Sequence, residues 1–187
     1  MLISVGLVVM MTALFRTVGH ASLALGGSTQ EWRFQELLRD QLRHGFTLPG
    51  AKNGSLAGET TRLVFLTWKS RVNGFDGKPV VAEYSYDPQA RSLSYREAAL
   101  PSWWEDVSTM SEPHQLAALL EGMSAKQLVG GVEAASFAFL SPETSALDKT
   151  RGLDRWFEAR LPGLVVLSFT RSQHETRLWL EPRATHG

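Results

Sequence analysis

The residue types that most often carry out chemistry in proteins are scattered along this chain without a recognisable motif. Neither phosphate-binding glycine pattern, G-x-x-x-x-G-K-[ST] or G-x-G-x-x-G, is present. Cysteine is absent, which excludes a disulfide, a thiolate nucleophile and a zinc–thiolate cluster. The histidines never reach the H-x-x-x-H spacing that places two metal ligands on one helix face; they are His20, His44, His114, His174 and His186.

Three weaker patterns have simpler interpretations. The segment 53–58 lacks the glycine that a G-x-S-x-G nucleophile elbow requires two residues before the serine, so it indicates a turn. His174 and Glu175 could pair as a base and its orienting carboxylate, but a solvated hairpin tip explains them better. The loop carboxylates at Asp76 and within 148–154 lack the D-x-D clustering typical of calcium sites. We therefore predict no enzyme activity, no cofactor and no metal site.

An adjacent tryptophan pair suggests a binding surface. Trp103 and Trp104 follow Pro101 and Ser102 in a segment with no regular pattern. Aromatic residues in such segments often dominate interface energetics, so one interpretation makes the pair an anchor for a partner protein. The other interpretation packs both rings over a sheet as part of the core.

The N-terminus is an uncharged stretch of fifteen residues, MLISVGLVVMMTALF, followed by Arg16. As a helix it would span about 22 Å of a hydrocarbon core about 30 Å thick. A secretory signal would carry a basic residue before its apolar stretch, and none is present here. The small residues at 21–24 (Ala-Ser-Leu-Ala) nevertheless offer a site that a signal peptidase could cleave. A buried core helix is a third interpretation. The comparison of helix length with bilayer thickness favours a membrane-spanning helix that lacks about five residues at its N-terminal end.

We expect this helix to lie in lipid or against other helices, with one glycine as a point of close helix approach. The apolar residues of this predicted membrane and assembly helix are Leu2, Ile3, Val5, Leu7, Val8, Val9, Leu14 and Phe15, and the glycine is Gly6.

The following elements are predicted from periodicity. A capping box from Ser28 to Glu31 opens a helical pattern with one apolar face, made by Phe34, Leu37, Leu38 and Leu42. Residues 45–61 are rich in turn formers and predict a loop, as do 141–160. Apolar runs and alternation predict strands at 63–68, 80–86, 93–95, 132–140, 164–169 and 177–180, and a short helix begins at Pro113.

A helix followed by strands predicts an α+β fold, with a long N-terminal α-helix packed on an antiparallel β-sheet head. The helix comprises a membrane part at 1–27 and an amphipathic stalk at 28–44. The head covers 28–187, with its β-sheet domain at 62–182. Net charge is zero and the sequence pI is near 7.0, so no basic surface indicates nucleic acid.

This order of elements resembles the type IV pilin-like proteins. Four segments resemble, in order, the head of the type II secretion minor pseudopilin J: LVFLTWKS, VVAEYSYDPQARSLSYRE, LVGGVEAASFAFL and LPGLVVLSFTRSQHETRLWLEP. The cleavage-site glycine, the methylated phenylalanine and the fifth-position glutamate of that family are absent here. The letters G-F-T-L do occur at 45–48, but within a predicted loop.

The resemblance implies a structural subunit of the type II secretion pseudopilus, a minor pseudopilin of the tip complex that supports protein export across the outer membrane. Its partners would be the I-class and K-class minor pseudopilins, the major pseudopilin and the inner membrane. The head of this single-pass protein would lie in the periplasm, with no nucleic acid or small-molecule substrate. Two alternatives stay open: a minor pilin of a type IV pilus or competence system, and a periplasmic β-rich ligand-binding domain whose signal, 1–24, is cleaved.

Overall fold

The computed structural model describes residues 29–47, 56–71, 77–100, 113–143, 152–158 and 160–182. This part of the chain is mostly β, with about half of its residues in strands of two antiparallel sheets. Its helices are α1, residues 29–43, and α2, Pro113–Ala118. The strands are β1 (Leu56–Glu59), β2 (Arg62–Thr67), β3 (Val80–Asp87), β4 (Ser92–Ala99), β5 (Lys126–Gly130), β6 (Val132–Leu140), β7 (Arg155–Trp156), β8 (Leu164–Arg171) and β9 (His174–Leu180).

The predicted α+β fold, with a long N-terminal helix on an antiparallel head, is therefore wrong. The described part of the N-terminal helix is α1, which covers fifteen residues and has an apolar face and a charged face. The chain instead forms more strands than its periodicity predicts, and they divide into two sheets. The predicted membrane part, residues 1–27, lies outside the described residues.

The predicted single-pass inner-membrane location with a periplasmic head is corrected as well. Among the residues that the structure describes, no helix combines the length and the apolar character needed to cross a bilayer. The physical reason lies in α1, which falls short of the roughly 20 apolar residues a span requires and carries Arg33, Glu36, Asp40 and Arg43.

The larger sheet has the order β5-β4-β3-β2-β1-β7 and is covered on both faces. This two-sided burial explains why the sequence of β2 is apolar on both of its faces. Leu63 and Phe65 face the main core, whereas Val64 and Leu66 face a second core formed with α2. The predicted hairpin is confirmed as β3–β4, whose turn is closed by Asp87 Oδ1 accepting the N–H groups of residues 89 and 90.

The smaller sheet has the order β6-β8-β9 and starts where the chain leaves the larger one. Between β5 and β6 the backbone of Gly131 has a φ of +72°, a left-handed conformation that glycine adopts without strain. Phe137, Phe139 and Phe169 on the inner face of this sheet join the main core. The two sheets therefore enclose one hydrophobic core, and α1 packs into it.

Three strands lie where the sequence predicts a loop or no element. β1 falls within the predicted loop 45–61, β7 within the predicted loop 141–160, and β5 in a stretch without a prediction. β1 reads Leu-Ala-Gly-Glu, which has little β-propensity. Its glycine is required by packing, because a Cβ atom on Gly58 would lie 2.0 Å from the ring of Phe139.

Candidate functional site

Helix α1 packs against both sheets through one apolar face. Phe34, Leu38 and Leu42 are buried, and Leu37 is partly buried against them, which confirms the apolar face predicted from the sequence. The ring of Phe34 lies 6.0 Å from that of Tyr84 in the larger sheet and 6.2 Å from that of Phe169 in the smaller sheet, measured between centroids. The helix therefore holds the two sheets together at this end of the core.

A buried glutamine fixes the position of α1 by hydrogen bonds. The Oε1 atom of Gln41 accepts from the Tyr84 hydroxyl at 2.6 Å, and its Nε2 atom donates to the Tyr95 hydroxyl at 2.7 Å. The same Nε2 donates to the carbonyl of Lys69 at 2.8 Å. The backbone carbonyl of Gln41 accepts from Thr67 Oγ1 at 2.9 Å. These contacts reach β2, β3, β4 and the segment after β2, so one residue joins the helix to three neighbouring strands of the larger sheet.

This Gln41 network continues to a buried carboxylate. The Tyr95 hydroxyl donates to Glu97, and Ser70 Oγ donates to the other carboxylate oxygen at 2.8 Å. The backbone N–H of Arg71 donates to both oxygens at 3.1 Å. Every polar atom of Glu97 is thus used inside the protein, which is what a buried carboxylate requires.

The two tyrosines of the network cannot act as bases or nucleophiles near neutral pH. Burial raises the pKa of Tyr84 and of Tyr95 well above the ordinary value, and the hydrogen bond to Glu97 raises that of Tyr95 further. Both hydroxyls stay protonated and act as donors. Because no buried side-chain polar atom in the described ranges lacks a partner, the network is a structural element that positions α1.

A second carboxylate, on the opposite side of the larger sheet, is also fully used. Glu83 is only 3 % exposed and forms ion pairs with Arg62 and Arg96, the latter at 2.8 Å. Arg96 also donates to the carbonyl of Leu120 just beyond α2. Glu83 therefore joins neighbouring strands to the α2 segment and offers no free carboxylate for catalysis.

The other face of α1 points away from the core. Trp32 is 62 % exposed, and Arg33, Glu36, Asp40 and Arg43 are exposed beside it along the helix. An exposed tryptophan among charged residues is typical of the residues that dominate protein–protein binding. The sequence did not single out Trp32; the signal was available, because Trp32 lies off the apolar face defined by Phe34.

A shallow groove of about 440 Å³ lies on the outer face of the smaller sheet. Its lining combines small and apolar residues with one cation, and it includes Trp179, which is 48 % exposed. The lining residues are Ala138, Leu140, Gly152, Val166, Ser168, Arg177 and Trp179. None of these described lining residues is a carboxylate or a histidine, so they offer a surface for contact and no acid–base pair.

The site residues predicted from the sequence fall outside the part of the chain that the structure describes. This holds for the partner anchor, Trp103 and Trp104, and for the membrane and assembly helix from Leu2 to Phe15. Within the described ranges, no three histidine or acidic side chains are grouped to hold a metal ion. His174 and Glu175 are exposed at the start of β9, next to the hairpin turn.

Comparison with known proteins adds no assignment. No protein-family model matches the chain, and no curated protein is significantly similar to it.

Proposed function

We propose that this chain is a structural subunit of the type II secretion pseudopilus, a minor pseudopilin of the tip complex that binds the heads of the I-class and K-class subunits. The sequence resemblance to minor pseudopilin J suggests this role. The observation that carries it is α1: one face is fixed in both sheets, and the other presents Trp32 between charged residues. A rigidly held helix with an exposed aromatic residue suits assembly into a larger structure.

The chemistry of the described residues supports assembly over catalysis. Glu83 and Glu97 are held by internal partners, and the tyrosines of the Gln41 network remain protonated. A subunit of this kind needs a stable head with a fixed helix and no reactive group. We place the contact with partner heads on the outward face of α1.

A binding experiment tests this assignment with two matched variants. The full chain is mixed with purified I-class and K-class pseudopilin heads, and affinity is measured for the native chain, for Trp32→Ala and for Phe157→Ala. Phe157 is a matched aromatic control, 38 % exposed and far from α1 in sequence. We expect Trp32→Ala to weaken binding by about 2 kcal/mol, or roughly 30-fold, because exposed tryptophans at interface centres contribute about that much.

The outcomes separate the alternatives. Phe157→Ala should bind as the native chain does, and both variants should keep the native melting temperature. Absence of binding to either head would refute the pseudopilin assignment. Equal losses for the two variants would refute the placement of the contact on α1.

A further inference from the structure

Among the strands that the structure describes, the last one, β9, is paired along a single edge, with β8. Its register with β8 is continuous from Arg171–His174 to Val165–Leu180, without a bulge. The turn between them has two residues, Ser172 and Gln173, both with positive φ, so the pair Arg171–His174 is hydrogen bonded. Alternation along an antiparallel ladder then directs the N–H and C=O groups of residues 175, 177 and 179 away from β8.

No main-chain hydrogen bond from the described residues reaches these groups. The opposite edge of the same sheet is different. In β6, the N–H groups of Phe137 and Phe139 donate to the carbonyls of Thr60 and Leu153 at 2.7 and 2.9 Å. Within the described residues, the smaller sheet thus has one covered edge and one open edge. An open, straight edge is a template for another strand.

The charges on β9 indicate which strand fits. Glu175 and Arg177 lie two residues apart on the outer face, both more than half exposed, and pair with each other at 2.9 Å. Thr176 lies between them on the other face, where its hydroxyl donates to Glu31 of α1. An acidic and a basic residue placed symmetrically about Thr176 are complementary to the same sequence running in the opposite direction.

We propose that a second copy of this chain binds along the open edge of β9, antiparallel, with the two-fold axis at Thr176. In this register Glu175 faces Arg177 of the partner subunit, and Arg177 faces Glu175 of the partner subunit. The outward main-chain groups of both residues form the hydrogen bonds between the strands. The two three-stranded sheets become one six-stranded sheet.

Charge selects this register over its neighbours. A shift that places the axis at Arg177 sets two arginines opposite each other. The next shift sets Glu175 opposite Glu181 of the partner subunit. Directly opposed like charges destabilise antiparallel pairs, and directly opposed unlike charges stabilise them. Among registers whose opposed residues all lie within β9, only the one centred on Thr176 opposes unlike charges at both positions. This inference does not depend on the proposed function.

Sedimentation of the full chain over a range of concentrations tests the proposal through a charge exchange. We expect the native chain to dimerise, and Glu175→Arg and Arg177→Glu each to raise the dimer dissociation constant about tenfold or more. An equimolar mixture of the two variants should dimerise again, because every pair across the axis is then an arginine facing a glutamate. The double variant Glu175→Arg/Arg177→Glu should dimerise alone for the same reason.

Circular dichroism of each variant checks that the fold is kept, which we expect for side chains this exposed. A native chain that stays monomeric at all concentrations would overturn the proposal. So would single variants that dimerise as well as the native chain, since association would then use another surface. Failure of the mixture and of the double variant to recover dimerisation would overturn the register.

Discussion

Replacing Gln41 with leucine should destabilise the protein out of proportion to the change in size. The side chain is fully buried and makes three hydrogen bonds, to Tyr84, Tyr95 and the carbonyl of Lys69. Leucine fills a similar volume but offers no polar atom. Tyr95 keeps its bond to Glu97, whereas the buried hydroxyl of Tyr84 loses its acceptor.

The magnitude follows from the groups left without partners. A buried donor without an acceptor costs about 1–3 kcal/mol. The carbonyl of Lys69 is in a partly buried position that water can reach, so it adds about 1 kcal/mol or less. We therefore expect Gln41→Leu to lower the free energy of unfolding by about 2–4 kcal/mol. Tyr84→Phe alone should cost about 1–2 kcal/mol, because it leaves the Oε1 atom of Gln41 without a donor.

The double variant Gln41→Leu/Tyr84→Phe removes both partners together. Its destabilisation should be smaller than the sum of the single changes by about 1–2 kcal/mol, because neither side of the bond is then orphaned. Urea unfolding of the full chain measures all three values. Gln35→Leu is the control, since Gln35 lies on the same helix and its side chain makes only a long 3.4 Å bond to Glu31. A loss below about 0.5 kcal/mol for Gln41→Leu, or strict additivity, would refute the reasoning.

Two further predictions follow from other contacts. Gly58→Ala should lower the free energy of unfolding by about 1–3 kcal/mol in urea unfolding, because the added methyl group meets the Phe139 ring at 2.0 Å; an unchanged midpoint would contradict this packing. Because burial raises the pKa of Tyr84 and Tyr95, their hydroxyls are protonated in the folded chain at pH values where the unfolded chain loses those protons. The two hydroxyls contribute fully to the free energy of unfolding below the unfolded pKa of about 10, and above that pH this free energy should fall by up to about 2.7 kcal/mol per pH unit. Tyr95→Phe should roughly halve that slope in urea unfolding measured at several pH values, and an unchanged slope would contradict the assignment.

The proposed function still rests on resemblance and on the exposed face of α1, and the comparison with known proteins leaves it a prediction. Its principal candidate residues, Trp103 and Trp104, lie outside the described part of the chain. The structure adds two candidate surfaces, the outward face of α1 with Trp32 and the open edge of β9. Helical periodicity marks the first as a non-core face, whereas the second depends on how the strands pair. The experiments on these surfaces are independent, so the failure of one does not decide the other.

Features that depend on the faces of a single helix or strand could be predicted from the amino-acid sequence. The spacing of Phe34, Leu38 and Leu42 marked the buried side of α1, and the apolar run in β2 marked a strand covered on both faces. The β3–β4 hairpin followed from alternation around a turn. Local periodicity is sufficient here, because each pattern records which side of its own helix or strand meets apolar surroundings.

Which helices and strands pack against each other became visible only in the folded chain. β1 is a strand despite its weak propensity, because Gly58 lets the ring of Phe139, 81 positions later, pack against its backbone. Gln41 gains its role from Tyr95, 54 positions away. Whether the strands form one sheet or two depends on the backbone at Gly131 and on which edges are paired. These outcomes are set by contacts between distant residues, and the periodicity of a single segment carries no information about its partners.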